Sequence, residues 1–327
     1  MNVAFMVYRR PDLARRVFEV IASARPSRLL VVADGPKDEA ESVLCAETRR
    51  VIEGVDWPCE VLTNFADSNM GCRKRISTGI DWVFSQVEDA IIVEDDCLPH
   101  PTFFQYCQDL LERYRDDERI ADIAGEYGLP GHAGCKESYF ASRYGSIWGW
   151  ATWRRAWSLY DVEMRAWPEF RDRNRHADFV YGKAQADLMV RRFDEIHCGN
   201  VDTWDLQWGF ARMLHGVYSL VPSVNLVTNI GFREDASRTV ADSAAELANR
   251  AVEAMEFPLT HPSVLVPRDS YDRAYLRSVA LRLPPLWQRI GRNLTNKHMY
   301  GTAIRGIPGV GNVWTRLRNR TDTDANR

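Results

Sequence analysis

The sequence predicts an α/β fold built on a mostly parallel sheet with helices on both faces. Two observations carry that expectation. Through residue 125, short apolar runs alternate with longer segments whose apolar residues recur at helical spacing, the signature of strand–helix–strand units. Three of the apolar runs then end in polar or charged turns: Tyr8-Arg9-Arg10-Pro11, Ala33-Asp34-Gly35-Pro36 and Glu94-Asp95-Asp96. In open parallel sheets, ligands bind at these carboxyl ends of the strands.

The elements follow in order. Val3–Tyr8 reads as a first strand, too short for a signal-peptide core. Pro11 and Asp12 are start signals for a helix over Asp12–Ala24, with Leu13, Val17, Val20 and Ile21 on one face. Leu29–Ala33 and Glu60–Thr63 read as strands. Arg75–Val87 places Ile76, Ile80, Val83, Phe84 and Val87 at helical spacing. Ala90–Glu94 is the strand that ends in three acids. Pro101–Tyr114 carries Phe103, Phe104, Cys107, Leu110, Leu111 and Tyr114 on a helical face, and Ile120–Ala124 closes the series as a strand.

The second half changes character. Seven of the eleven tryptophans fall between Trp148 and Trp208, and Ser146–Trp153 is the densest stretch, with a loop-like lead-in. Asp202–Trp208 opens a helix to about Leu214, followed by a strand-like Val217–Val221 and a polar loop over Asn225–Thr239. From Arg268 the chain is basic, with interleaved apolar residues. Residues 272–282 fit an amphipathic helix ended by Pro284-Pro285, Gly301–Gly311 is loop-like, and Val313–Leu317 fits a short terminal helix. The expected division is 1–125, 126–267 as the other half of the same domain, and 268–327 as an extension.

Composition narrows the class. At 327 residues, 45% hydrophobic and 27% charged, the chain reads as an ordinary globular protein with room for one large or two moderate domains. A net charge of −3 gives no excess for nucleic acid. The charge is uneven: residues 268–327 hold 12 Lys/Arg against 4 Asp/Glu, so +8 sits there and −11 on the remainder. Seven scattered cysteines without a Cys-x-x-Cys pair suggest reduced thiols and a cytoplasmic setting. No stretch reaches the ~20 apolar residues of a membrane span. The basic amphipathic extension either docks on an anionic membrane surface, peripheral to the inner face, or packs on the more acidic remainder.

Candidate chemistry starts at Glu94-Asp95-Asp96. Three carboxylates at one strand end repel each other unless solvent or a cation neutralises them. Mg²⁺ and Mn²⁺ prefer oxygen ligands and keep positions open for substrate phosphates; a solvated acidic loop is the plainer alternative. Gathered with Arg10 and Asp34, the triplet would suit a nucleoside diphosphate and a metal. No Gly-x-Gly-x-x-Gly or Walker-type Gly-Lys-Ser/Thr sequence is present, which argues against a dinucleotide or P-loop site. Arg73-Lys74-Arg75 could reach phosphate from a helix N-terminus or serve as a solvated basic cap. The tryptophans are either core or a wall for sugar faces. Asp202 has helix-capping chemistry. Asp205 either complements a helix dipole or, desolvated between two indoles, serves as a general base.

These residues together resemble a known family. Arg9-Arg10-Pro11-Asp12, Val31–Pro36, Ile92–Asp96 followed by Pro101–Phe104, Trp148-Gly149-Trp150, Trp204–Trp208 and Asn229–Phe232 are similar, in order and spacing, to bacterial nucleotide-diphospho-sugar transferases related to N-acetylglucosaminyltransferase I. The resemblance spans roughly residues 1–240. It implies a GT-A-type, Rossmann-like sheet with an α-rich acceptor half, and a metal-dependent inverting glycosyltransferase. The donor would be a UDP-sugar, UDP-GlcNAc among the candidates, and the acceptor a glycan or lipid-linked hydroxyl. Asp96 would bind Mn²⁺ or Mg²⁺. Arg10, Asp34, Glu94 and Asp95 would hold the donor and Asp205 would be the base. Arg73 and Arg75, near where the eukaryotic relative has a nucleotide-contacting His, are further donor candidates, and Trp148, Trp150 and Trp204 are acceptor candidates from the chain's own pattern. In the eukaryotic relative the two tryptophans stand one residue closer, which leaves Asp202 as the alternative base. A sugar-1-phosphate nucleotidylyltransferase and a non-catalytic sugar-nucleotide-binding protein are the competing classes.

Overall fold

A computed structural model describes residues 1–129, 136–232 and 250–280. Its central sheet is made of β1 (Asn2–Val7), β2 (Arg28–Ala33), β3 (Glu60–Phe65), β4 (Asp89–Glu94), β6 (Ile120–Ala124), β7 (Tyr139–Ser142), β8 (Trp150–Trp153) and β9 (Tyr218–Pro222), in the order β3-β2-β1-β4-β8-β6-β9-β7. The first four strands in that order pair in parallel; β8 runs antiparallel to β4 and β6, and β7 antiparallel to β9. The mostly parallel α/β sheet is therefore as expected, and the five sequence-predicted strands recur at their places. Nearly every residue of β1, β2, β4 and β6 is buried whatever its parity, which requires cover on both faces.

Helices α1 (Pro11–Ala24), α3 (Cys72–Gln86) and α4 (Thr102–Arg113) supply that cover through Val17 and Ile21, Ile80 and Val83, and Phe103 and Leu110. Pro11 stands in the first turn of α1, where its missing N–H has no intrahelical partner to lose. Between β2 and β3 lies α2 (Glu39–Arg49), unforeseen because its face is interrupted by charge; Asp38 caps it by accepting from the Glu41 N–H at 2.9 Å. A small antiparallel pair, β5 (Cys97–Pro99) with β10 (Val227–Asn229), follows directly on the three acids.

The tryptophan-rich stretch has the loop-like lead-in expected, through Gly149, and then forms a strand over Trp150–Trp153. Gly149, at φ +60°, turns the chain into β8, which inserts between β4 and β6. Trp150 stacks on Trp204 at 5.8 Å between ring centres, and Trp157 lies 5.4 Å from Trp208. Trp150 and Trp204 are 1% and 2% exposed. That corrects the acceptor-wall reading for both: buried indoles offer no face to a ligand, and large apolar rings in one segment found the core instead.

The second half adds α5 (Arg154–Trp157), α6 (Trp167–Asp172), α7 (Lys183–His197) and α8 (Asp205–His215). A second apolar cluster joins Trp167, Phe170, Phe193 and Phe210. The described residues, through 280, all belong to one compact unit. Within it, α9 (Asp269–Tyr275) packs through Tyr271 on Phe140 at 4.8 Å, and its buried Asp272 accepts from the Ser142 hydroxyl at 2.6 Å. The start of the basic extension is thus docked on the domain. Pro284-Pro285 and the rest of the extension, with Arg233–Thr239 of the polar loop, lie outside the described residues. Six described cysteines form no disulfide, and no described helix is long and apolar enough to cross a membrane.

Candidate active site

The carboxyl ends of β1, β2 and β4 border a cavity of about 570 Å³. Tyr8, Arg10, Asp34, Arg75, Glu94 and Asp95 line it, so the structure brings together most of the predicted donor residues. Asp34 is buried and braced: its carboxylate accepts from the Gly35 N–H at 2.8 Å, the Met70 N–H at 2.9 Å and the Asn69 amide at 2.9 Å. Burial raises its pKa, and the backbone donors oppose the rise. Gly35 is required by this packing, because a Cβ there would lie 2.4 Å from the Ser68 backbone. Arg75 is buried at the strand ends, donating to the Ala33 carbonyl at 3.1 Å and to the Asn64 side chain at 2.9 Å.

The acid triplet divides by environment. Asp95 is buried, with one oxygen held by Arg10 and the other accepting from the Tyr8 N–H at 3.0 Å. Burial raises the Asp95 pKa; Arg10 opposes that and Asp96 adds to it. Burial alone would lower the Arg10 pKa, but Asp95 and Asp96 more than offset it and raise it. Asp96 pairs with Arg10 at 3.0 Å and lies beside Gly231 in the turn after β10. Its carbonyl accepts from the Ile230 N–H at 2.8 Å. A Cβ on Gly231 would meet Asp96 Oδ2 at 2.4 Å, so only glycine fits beside the carboxylate. The Arg10 guanidinium pairs with two of the three carboxylates, and the donor set is hard oxygen. No group of three or more ligating side chains is assembled among the described residues. The hard-oxygen chemistry of the carboxylates would fit Mg²⁺ or Mn²⁺ only as an ion that leaves most of its positions to water and phosphate oxygens.

Arg73 is not brought to the cavity. Its guanidinium donates to the Val162 carbonyl at 2.7 Å and pairs with Glu163 at 3.1 Å, so the donor role expected of Arg73 is corrected. Arg73 and Arg75 are two residues apart, which places them on nearly opposite sides of α3. The N-terminus of α3 meets a carboxylate instead of presenting open N–H groups. Asp202 accepts from the Cys72 N–H at 3.0 Å and the Arg73 N–H at 2.9 Å, capping a helix 130 residues earlier. The capping chemistry read at Asp202 is real, but the helix it caps is α3 and not the one it precedes.

Asp205 is the first residue of α8 and borders a second cavity of about 300 Å³ with Trp148, Arg192 and Arg212. Trp204 and Trp208 share the core face of α8, whereas Asp205 stands about 100° round the helix. It is therefore not sandwiched between the indoles as the sequence suggested. The Thr203 hydroxyl donates to Asp205 Oδ1. The two cavities flank a single turn: Asp202 borders the first and Asp205 the second, with Thr203 and Trp204 buried between them. A second connection runs from Asp96 past Gly231 to Phe232, whose ring lies 5.6 Å from Trp148.

Several participants escaped the sequence reading. Asn69 was not singled out, although its polar loop context was a signal. Glu41 accepts from Tyr8 and pairs with Arg9 at 2.6 Å, which turns Arg9 toward α2. Glu126 borders the second cavity, buried and paired with Arg250 at 2.9 Å, and burial raises its pKa. Nothing local marks it, because its partner is 124 residues away.

No protein-family model matches the sequence, and no curated protein is found similar to it. Among solved structures, residues 1–349 of S. aureus TarS are similar at 10% identity and a TM-score of 0.38, covering 68% of this chain and 58% of that one. The galactosyltransferase LgtC, in complex with donor and acceptor sugar analogs, is similar at 12% identity and a TM-score of 0.32, covering 53% of this chain and 66% of that one. UDP-glucose pyrophosphorylase with UDP-glucose gives 12% identity and a TM-score of 0.26, covering 45% and 64%. The chain spans less than two thirds of each of these proteins.

Proposed function

We propose that the chain is an inverting glycosyltransferase that moves a sugar from a nucleoside diphosphate, a UDP-sugar, to an acceptor hydroxyl. The observation that carries this reading is the pair of cavities on either side of the Asp202–Asp205 turn. One lies at the carboxyl ends of the parallel strands and is bordered by Arg10, Asp34, Arg75, Glu94 and Asp95; the other presents a carboxylate at the start of α8. The relation to N-acetylglucosaminyltransferase I rests on the motif resemblance, and UDP-GlcNAc is the donor it favours.

In this mechanism Asp34, braced by Asn69 and the loop backbone, and Arg75 line the nucleoside end of the first cavity. Glu94 borders the same cavity near the sugar. Arg10 holds Asp95 and Asp96 in place against their mutual repulsion. Mn²⁺ or Mg²⁺, held by Asp96, would supply Lewis-acid stabilisation of the departing diphosphate. Asp205 accepts the proton of the attacking hydroxyl on the face opposite the leaving group, with Thr203 orienting its carboxylate.

Calorimetry with a panel of nucleotide sugars tests the reading. At least one nucleoside diphosphate sugar should bind in the presence of Mn²⁺; if none binds with or without metal, the proposal fails. Asp96→Asn should remove the metal dependence of that binding, and an unchanged requirement would withdraw Asp96 as the ligand. Asp202→Ala should lower stability by about 0.5–2 kcal/mol through loss of the α3 cap, read by urea unfolding. If it instead stops transfer while donor binding persists, the base is Asp202.

A further inference from the structure

The second cavity is walled chiefly by Ile147, Trp148, Met189, Phe193, Leu206 and Met213. Its volume of about 300 Å³ corresponds to about ten water-sized groups. Most of the polar side chains at its edge are already committed. Glu126 pairs with Arg250 at 2.9 Å, Arg212 with Asp122 at 2.7 Å, and Asp205 accepts from Thr203. A sugar ring held there would bury several hydroxyls against carbon, and each unpaired hydroxyl weakens binding.

A second observation points the same way. Gly209 lies in the middle of α8 and borders this cavity, and a Cβ built on it meets no atom within 4 Å. Glycine within a helix is destabilising relative to alanine, and here no close packing demands it. Gly182, Gly199 and Gly216 are equally open, but each stands at positive φ, where the backbone itself favours glycine. Helical Gly209 has no such reason. Elsewhere in this half a Cβ on Gly145 would meet Ser219 Oγ at 2.1 Å and one on Gly128 the Tyr275 ring at 2.6 Å. The absent side chain at 209 is cavity space.

We infer that this cavity takes the apolar body of the acceptor. The acceptor is an amphipathic alcohol, with an alkyl or aryl group seated against Trp148 and α8 and its reacting hydroxyl at Asp205. A polyhydroxylated glycan alone does not match these walls. This inference rests on the assignment of Asp205 above, and it selects the lipid-like class of acceptor over the free glycan.

The test is calorimetric titration of the full chain with octyl and 4-nitrophenyl β-glucosides below any micelle concentration, with glucose beside them and no donor present. The two glycosides should bind and glucose should be at least tenfold weaker. Gly209→Leu, which projects into open space and improves the helix propensity of the site, should weaken glycoside binding at least tenfold and leave UDP-sugar binding unchanged. Gly209→Ala should stay near wild type. Equal binding of glucose, no glycoside binding, or glycoside binding untouched by Gly209→Leu would overturn the inference. Absence of UDP-sugar binding in the wild-type chain would overturn the donor reading separately, because the glycoside titration needs no donor.

Discussion

Asp205→Asn should lower the rate of sugar transfer by about 10²–10⁴, the usual contribution of a positioned general base, while metal-dependent donor binding stays at the wild-type level. The separation is expected from geometry. Asp205 borders the second cavity and is not among the residues that line the first. The amide preserves size and can still accept the Thr203 hydroxyl through its oxygen, so the helix start is kept. What it loses is the capacity to take a proton. Transfer assays run beside donor calorimetry read both quantities. Full transfer activity in Asp205→Asn would end the assignment, and weakened donor binding would show that the two cavities are not independent.

The second large effect concerns stability. Arg212, two turns along α8 from Asp205, pairs with Asp122 on β6 at 2.7 Å, and Trp208 donates to the same carboxylate at 2.8 Å. Both side chains of the pair are almost entirely buried. Arg212→Met should destabilise the chain by about 3–5 kcal/mol, because removal of one member leaves a buried charge without its partner. Replacing both, Asp122→Leu with Arg212→Met, should recover much of that loss, since an apolar pair of similar volume carries no desolvation cost. Urea unfolding of the two variants measures the contrast. An Arg212→Met variant within 1 kcal/mol of wild type would show that the pair does not hold α8 to the sheet.

The same pair explains why the placement of Asp205 could not be read from the chain. Arg212 and Asp122 are 90 residues apart; nothing in either neighbourhood announces the other. By contrast, the strands that end in Val7, Ala33 and Glu94 were legible, because an apolar run followed by a polar turn is a local pattern. Their convergence on one cavity was legible too, since a parallel sheet aligns the carboxyl ends of its strands. Within that cavity the sequence ranked its residues less well. Arg73 and Arg75 look equivalent in the chain, but one reaches Glu163 and the other the strand-end carbonyls. Trp148, Trp150 and Trp204 also look equivalent, yet Trp148 borders the second cavity whereas Trp150 and Trp204 are buried in the core.

The sequence by itself thus determined the parallel α/β sheet, the position of the three acids at its carboxyl edge, and the helix opening near Asp205. Each of these depends on periodicity or charge within a few residues. Only the tertiary structure decided that Trp150 and Trp204 are core, that Asp202 caps α3, and that Asp205 faces its own cavity. Those outcomes are set by which faces pack together, and packing joins residues far apart in sequence through shape and burial that no local pattern encodes.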